Sequence, residues 1–126
     1  IGYNYRMPNI NAALGCAQIE NLDIFIQTKR ALAERYASIL ENTELMFVQE
    51  PPACRSNYWL NAVICTNRVR RDLLLKKTNE NGVMTRPIWT LMSRLPMYRH
   101  CIRGSLVNSE WLEDRVVNLP SGLLPE

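Results

Sequence analysis

From Pro8 to about Asn42, apolar side chains return every three or four residues: Ile10, Leu14, Ala17, Leu22, Phe25, Ile26, Tyr36, Ile39 and Leu40. Charged residues such as Lys29, Arg30, Glu34 and Arg35 fall between them. That period is helical and commits the opening of the chain to α-structure. Pro8 suits a first helical turn, where its missing N–H costs no hydrogen bond. The run is long for one globular helix. Asp23 suits a cap after a break near Asn21 and Leu22, so the expectation is one bent helix or two consecutive helices.

Pro51-Pro52 ends any helix, and the pattern then changes. NYWLNAVICT alternates and is rich in aromatic and β-branched residues, which predicts a strand; a shorter strand is expected over residues 45–48. Residues 70–81 read as a charged amphipathic helix with Leu73 and Leu74 inward, closed by Asn81-Gly82. VMTRPI is a third short strand stopped by Pro87, followed by the looser WTLMSRLPMYRHC. Asn108 or Ser109 is expected to cap a helix running to about Arg115, and VVNLP closes as a strand. The order helix, helix, strand, strand, helix, strand, helix, strand predicts an α+β domain. Its sheet should be small and largely antiparallel, covered by helices on one face.

With 126 residues, 47% hydrophobic and 21% charged, the chain suits one domain with a real core. Fifteen basic against twelve acidic residues give +3, too little to argue nucleic-acid binding. No apolar run approaches the roughly 18 residues that span a bilayer. Cys16, Cys54, Cys65 and Cys101 form no CxxC, and His100 is the single histidine, so no metal site is expected. Buried free thiols in a reducing cytoplasm are the expectation. His100, between Arg99 and Cys101, reads as a surface-loop residue.

Chemistry concentrates in the arginines. Twelve of the fifteen basic residues are Arg. Arg6 in NYRMP, Arg55 before SNYW and Arg86 in MTRPIW stand among aromatic rings: Tyr3, Tyr5, Tyr58, Trp59 and Trp89. A guanidinium fork suits phosphate or carboxylate and stacks on rings. A site for an anionic, ring-containing ligand such as a nucleotide is one reading; surface ion pairs and half-buried aromatics are the other. Likewise Ala12, Ala13, Gly15, Cys16 and Ala17 form either an ordinary core face or a docking surface.

GYNYRMPNINAALGCAQIENLD closely resembles the segment G-x-N-x-R-M…A-A-x-G-x-A-Q-L…L-D of the DegT/DnrJ/StrS family of pyridoxal-phosphate-dependent sugar-nucleotide aminotransferases. KRALAERYASIL, SNYWLNAVI, NGVMTRPIWTLMSRLPMY and EWLEDRVVNLPSG resemble later family segments in the right order. The resemblance implies the small C-terminal domain of a fold-type I transferase, with residues 1–22 as an interface arm and helix and 23–126 as the small domain. It implies transfer of an amino group from glutamate, through pyridoxal phosphate, to a nucleotide-linked keto-deoxysugar, for amino-sugar and surface-polysaccharide synthesis in the cytoplasm. The implied partners are the protein's own N-terminal large domain and a homodimer mate.

The resemblance implies that Asn4 reaches the cofactor phosphate of the other subunit, with Arg6 beside it. Arg86 and Trp89 fall in the loop that faces the sugar nucleotide in relatives, and Tyr58 is a further candidate for the pocket wall. Many relatives carry a histidine near Trp89, a departure that changes the substrate contact here. The family's Schiff-base lysine lies upstream of this motif. Lys29, Lys76 and Lys77 sit on charged helix faces without the apolar surroundings that depress an amine pKa. No catalytic residue is therefore expected here, and the chain alone should not transaminate. Without the larger partner, residues 1 to about 15 are expected to be frayed, reoriented or held against another copy; packing into their own core would exclude this. A non-catalytic module holding single-stranded nucleic acid, or a dimerisation scaffold, is the rival reading. Against the first stand the low aromatic content and the acidic cluster Glu110, Glu113 and Asp114.

Overall fold

In a computed structural model describing residues 5–123, the long helical run is two helices. Helix α1 spans Asn9–Glu20 and α2 spans Leu22–Leu40. Asn21 makes the break: its side chain donates to Ala17 O at 2.9 Å, and its own carbonyl accepts from Phe25 N at 3.1 Å. Asn21 therefore stands at the cap position of α2, and Asp23 lies inside the first turn instead.

Strands β1 (Met46–Phe47), β2 (Asn61–Ile64), β3 (Arg86–Pro87) and β4 (Val116–Leu119) form one antiparallel sheet in the order β1-β2-β4-β3. Helix α3 (Arg68–Glu80) lies between β2 and β3 in sequence. Two single-turn 3-10 segments, Met92–Arg94 and Pro96–Tyr98, and helix α4 (Val107–Glu113) lie between β3 and β4. The predicted element order and α+β class hold. The register aligns Phe47, Val63, Val117 and Pro87 across the sheet. Side chains directly opposite one another share a face, and on that face Leu40 of α2 and Leu74 and Leu75 of α3 cover Val63, Cys65 and Val117.

Several boundaries differ from expectation for identifiable reasons. The strand expected from residue 57 begins only at Asn61, because Tyr58 turns through the left-handed region at φ 46°. Side-chain turns prepare that bend: Ser56 Oγ accepts from Tyr58 N and Asn57 Oδ1 from Trp59 N, each at 3.0 Å. Helix α3 starts earlier than expected, with Asn67 Oδ1 accepting from Arg70 N at 2.9 Å. Helix α4 starts at Val107 after Leu106, so neither Asn108 nor Ser109 is its cap. Pro87 is the last residue of β3, which ends there as expected. The proline is tolerated because β3 is an edge strand, where a missing N–H breaks no ladder. Of the four thiols only Cys65 is buried; Cys16, Cys54 and Cys101 are exposed, a correction to the expectation of buried cysteines. Burial pushes the Cys65 thiol pKa up.

Helix α1 buries none of its side chains, although Ile10, Leu14 and Ile19 are apolar; all three are largely exposed. It does not enter the core formed by the sheet, α2 and α3. Lys29 of α2 also departs from expectation. It is half-buried rather than solvated, and its Nζ donates to Ser121 O at 2.5 Å.

The loop before β2 is organised by an ion pair. Arg30 Nη1 and Nη2 reach Glu50 Oε2 and Oε1 at 3.0 and 2.7 Å, and Arg30 Nη1 also donates to Ser56 O. Ser56 N donates to Glu50 Oε2 at 2.6 Å. The Arg30 hydrogen bonds, then that from Ser56 N, hold the Glu50 pKa down from the ordinary 4.5 to about 2. A depressed carboxylate contributes stability above its unfolded pKa and loses it as pH falls through the folded value. Stability should therefore decline between about pH 4.5 and 2, with Glu50→Gln flattening that slope in denaturant titrations across the window. An unchanged slope would show that the pair carries none of the acid dependence.

Candidate functional site

The end of α3 delivers the polypeptide to one edge of the sheet. Gly82 takes φ 77°, a conformation costly for any residue with a Cβ, and Val83 N donates back to Thr78 O at 2.8 Å. Asn79 Nδ2 then holds Thr85 O at 3.1 Å, and Thr85 is buried against α3. Val83 and Thr85, from the first half of the expected strand VMTRPI, are thus bound to the helix end, and β3 contains only Arg86 and Pro87.

Arg86 stands opposite Asn118 of β4 and is exposed, its guanidinium 3.6 Å from Met84 Sδ. Trp89 follows two residues after Pro87 and stacks on Trp59, with centroids 6.4 Å apart and planes at 23°. Both indoles are 66% exposed, an unusual state for paired tryptophans on a folded surface. Arg86 and Trp89 line a groove of about 230 Å³ with Leu60, Met84, Pro87, Asn118 and Leu119. Complete small-molecule pockets run to roughly 300–1,000 Å³, so this groove has the dimensions of one wall of a site. A guanidinium fork beside two flat indoles can grip a planar, anionic ligand by hydrogen bonds and stacking.

The expected site residues do not all meet there. Arg86 and Trp89 do. Tyr58 lies toward the opposite edge of the sheet: its ring packs on Phe47 of β1 at 6.4 Å, and its hydroxyl accepts from Glu50 N at 3.2 Å. Arg30 lies over the same ring at 5.7 Å. The left-handed turn at Tyr58 therefore sends two neighbouring aromatics to opposite edges, Tyr58 toward β1 and Trp59 toward β3. Arg6 is exposed ahead of α1 and is not part of the groove lining. Asn4 lies outside the described residues. Trp59 was legible as an aromatic ring, but nothing in sequence places it against Trp89. Among the described residues, no cluster of His, Cys, Asp and Glu suits a metal ion. No described helix is long and apolar enough to cross a membrane.

The model of the DegT/DnrJ/EryC1/StrS aminotransferase family matches residues 1–124. The chain belongs to that family. It is 36% identical to the GDP-perosamine synthase of Vibrio cholerae over 124 residues, which are 96% of this chain and 34% of that protein. The GDP-perosamine synthase of Escherichia coli O157:H7 is 34% identical over 121 residues, 96% of this chain and 33% of the relative. The chain thus spans about a third of the length of the curated relatives it matches. Among solved structures, S. venezuelae DesV superposes with a TM-score of 0.88 at 26% identity, covering 99% of this chain and 34% of DesV. The two helices and the antiparallel sheet are therefore a fold that DegT/DnrJ/EryC1/StrS aminotransferases contain as about a third of their length.

Proposed function

We propose that this chain is the C-terminal third of a pyridoxal-phosphate-dependent enzyme that moves an amino group from glutamate to a nucleotide-linked keto-deoxysugar in the cytoplasm. The observation that carries the reading is the match to GDP-perosamine synthase along 96% of the chain. In this reading residues 23–126 form the small domain, and its groove supplies the substrate side of the site. Arg86 binds a phosphate of the nucleotide sugar, and Trp89 and Trp59 offer faces to its planar base; Tyr58, packed on Phe47 at the other edge, takes no part in this groove. Residues 1–22 are an arm directed at the large domain and at a homodimer mate. Asn4 and Arg6 donate to the cofactor phosphate of the partner subunit. An apolar helix such as α1, with no side chain buried, fits a surface completed by more protein.

None of the three lysines of this chain, all among the described residues, is placed to bond the cofactor. Lys29 Nζ is committed to Ser121 O at 2.5 Å and also lies 3.5 Å from Trp59 O. Lys76 pairs loosely with Glu80 at 3.9 Å, and Lys77 is exposed on α3. None sits in an apolar pocket suited to a nucleophilic amine. The lysine that bonds the cofactor is therefore assigned to the remainder of the longer enzyme. What this chain's residues do is bind and orient the nucleotide sugar. The experiment is a visible absorption spectrum with pyridoxal phosphate, before and after L-glutamate. The longer enzyme is expected to show a bound-cofactor band that glutamate bleaches, and this chain alone none. A glutamate-responsive band from this chain alone, or none from the longer enzyme, would overturn the reading.

A further inference from the structure

Trp89 and Thr90 form a two-residue span between two backbone anchors. On one side Ile88 N donates to Val116 O of β4 at 3.3 Å. On the other Leu91 N donates to Glu113 Oε1 at 3.0 Å. Glu113 is the last residue of α4 and only 8% exposed. Its Oε2 lies 2.8 Å from Arg94 Nη1, a close ion pair rather than a well-aligned hydrogen bond. Its own carbonyl accepts from Arg71 Nη1 of α3 at 2.6 Å, which fixes the helix end that carries it.

A nearly buried carboxylate is costly unless it is paired and hydrogen-bonded. Both partners of the Glu113 carboxylate, Leu91 N–H and the Arg94 guanidinium, belong to the single loop that follows Trp89. The sheet alone fixes the loop only as far as Ile88, leaving the indole two residues from the second anchor. We propose that Glu113 is a positioning residue that holds the Trp89 span, and with it the Trp59–Trp89 pair, at the edge of the Arg86 groove. That this groove receives a nucleotide sugar rests on the function proposed above; the clamp itself does not.

The test has one arm for each statement. With Trp111→Phe as the background, Trp59 and Trp89 are the only indoles of the three in the chain that remain. Stacked indoles couple their electronic transitions, so their circular dichroism reports the pair, and Trp89→Phe defines its absence. Glu113→Ala is expected to abolish most of this signal while the far-ultraviolet spectrum persists. Glu113→Gln keeps an acceptor for Leu91 N–H and should retain most of it. Glu113→Asp keeps the charge but withdraws the carboxylate by one methylene, and serves if the alanine variant does not fold. Its expected result is loss of the indole signal in a folded chain; full retention would overturn the proposal. In the longer enzyme, Glu113→Asp should raise KM for the nucleotide sugar about tenfold by misplacing a binding surface, with KM for glutamate unmoved. An unchanged sugar KM would also count against the positioning role. Failure of the wild-type longer enzyme to transfer an amino group would sink only the proposed function, and the dichroism would still decide on Glu113.

Discussion

Val117→Asp should leave the chain unfolded at room temperature. Val117 is fully buried on β4, between Val63 of β2 and Pro87 of β3, under Leu74 and Leu75 of α3. A carboxylate placed there meets apolar side chains, and the effective cost of an unpaired buried ion is several kcal/mol. Whole-domain stabilities are only about 5–15 kcal/mol. The milder Val117→Ala removes two buried methyl equivalents and leaves a small cavity, for a loss of about 2–3 kcal/mol. Val69→Ala, on the exposed face of α3 at 75% exposure, should stay within roughly 0.5 kcal/mol of wild type. Urea titration followed by circular dichroism orders the three. Cooperative unfolding of Val117→Asp near the wild-type midpoint would show that the core lies elsewhere.

Under the function proposed above, Arg86→Met should raise KM for the nucleotide sugar in the longer enzyme by about 10- to 150-fold, since a hydrogen bond to a charged partner contributes roughly 1.5–3 kcal/mol. Its kcat should fall much less, because a phosphate grip remote from the reacting carbon stabilises ground and transition states alike. Arg86→Lys should recover only part of the loss, because an ammonium cannot reproduce a planar two-point contact. Steady-state kinetics at saturating glutamate separate these outcomes. A KM for the sugar left unchanged by Arg86→Met would remove Arg86 from the binding surface.

The helical period between Pro8 and Asn42 made the helix pair legible, and the local chemistry of Asn81-Gly82 marked the end of α3. Turns built by side chains were harder to read. Ser56 and Asn57 each bond a backbone N–H two residues on, which overrides the strand pattern of the aromatics that follow. The groove was legible only as isolated residues. Arg86 and Trp89 share a loop, but their meeting with Trp59, Leu60 and Asn118 depends on the order β1-β2-β4-β3 and on the left-handed turn at Tyr58. No spacing within the sequence encodes either. Glu113 was read only as a member of an acidic cluster, because its burial follows from where α4 ends against Leu91 and Arg94.

Strand β4 follows every other described element in the chain, yet it occupies the interior of the sheet, bonded to β2 on one side and β3 on the other. A ribosome releases the pieces in the opposite priority. Helices α1 to α3 and β2 emerge first, and β2 can then pair only with β1. Until residues 116–119 leave the exit tunnel, the β2 edge that β4 later covers stays open and α3 has no completed sheet to rest on. Long-range pairing of this kind is slow and leaves strand edges exposed while it waits. The nascent chain should therefore depend on chaperones until β4 arrives, and pauses in translation just before Val116 should promote aggregation more than pauses elsewhere.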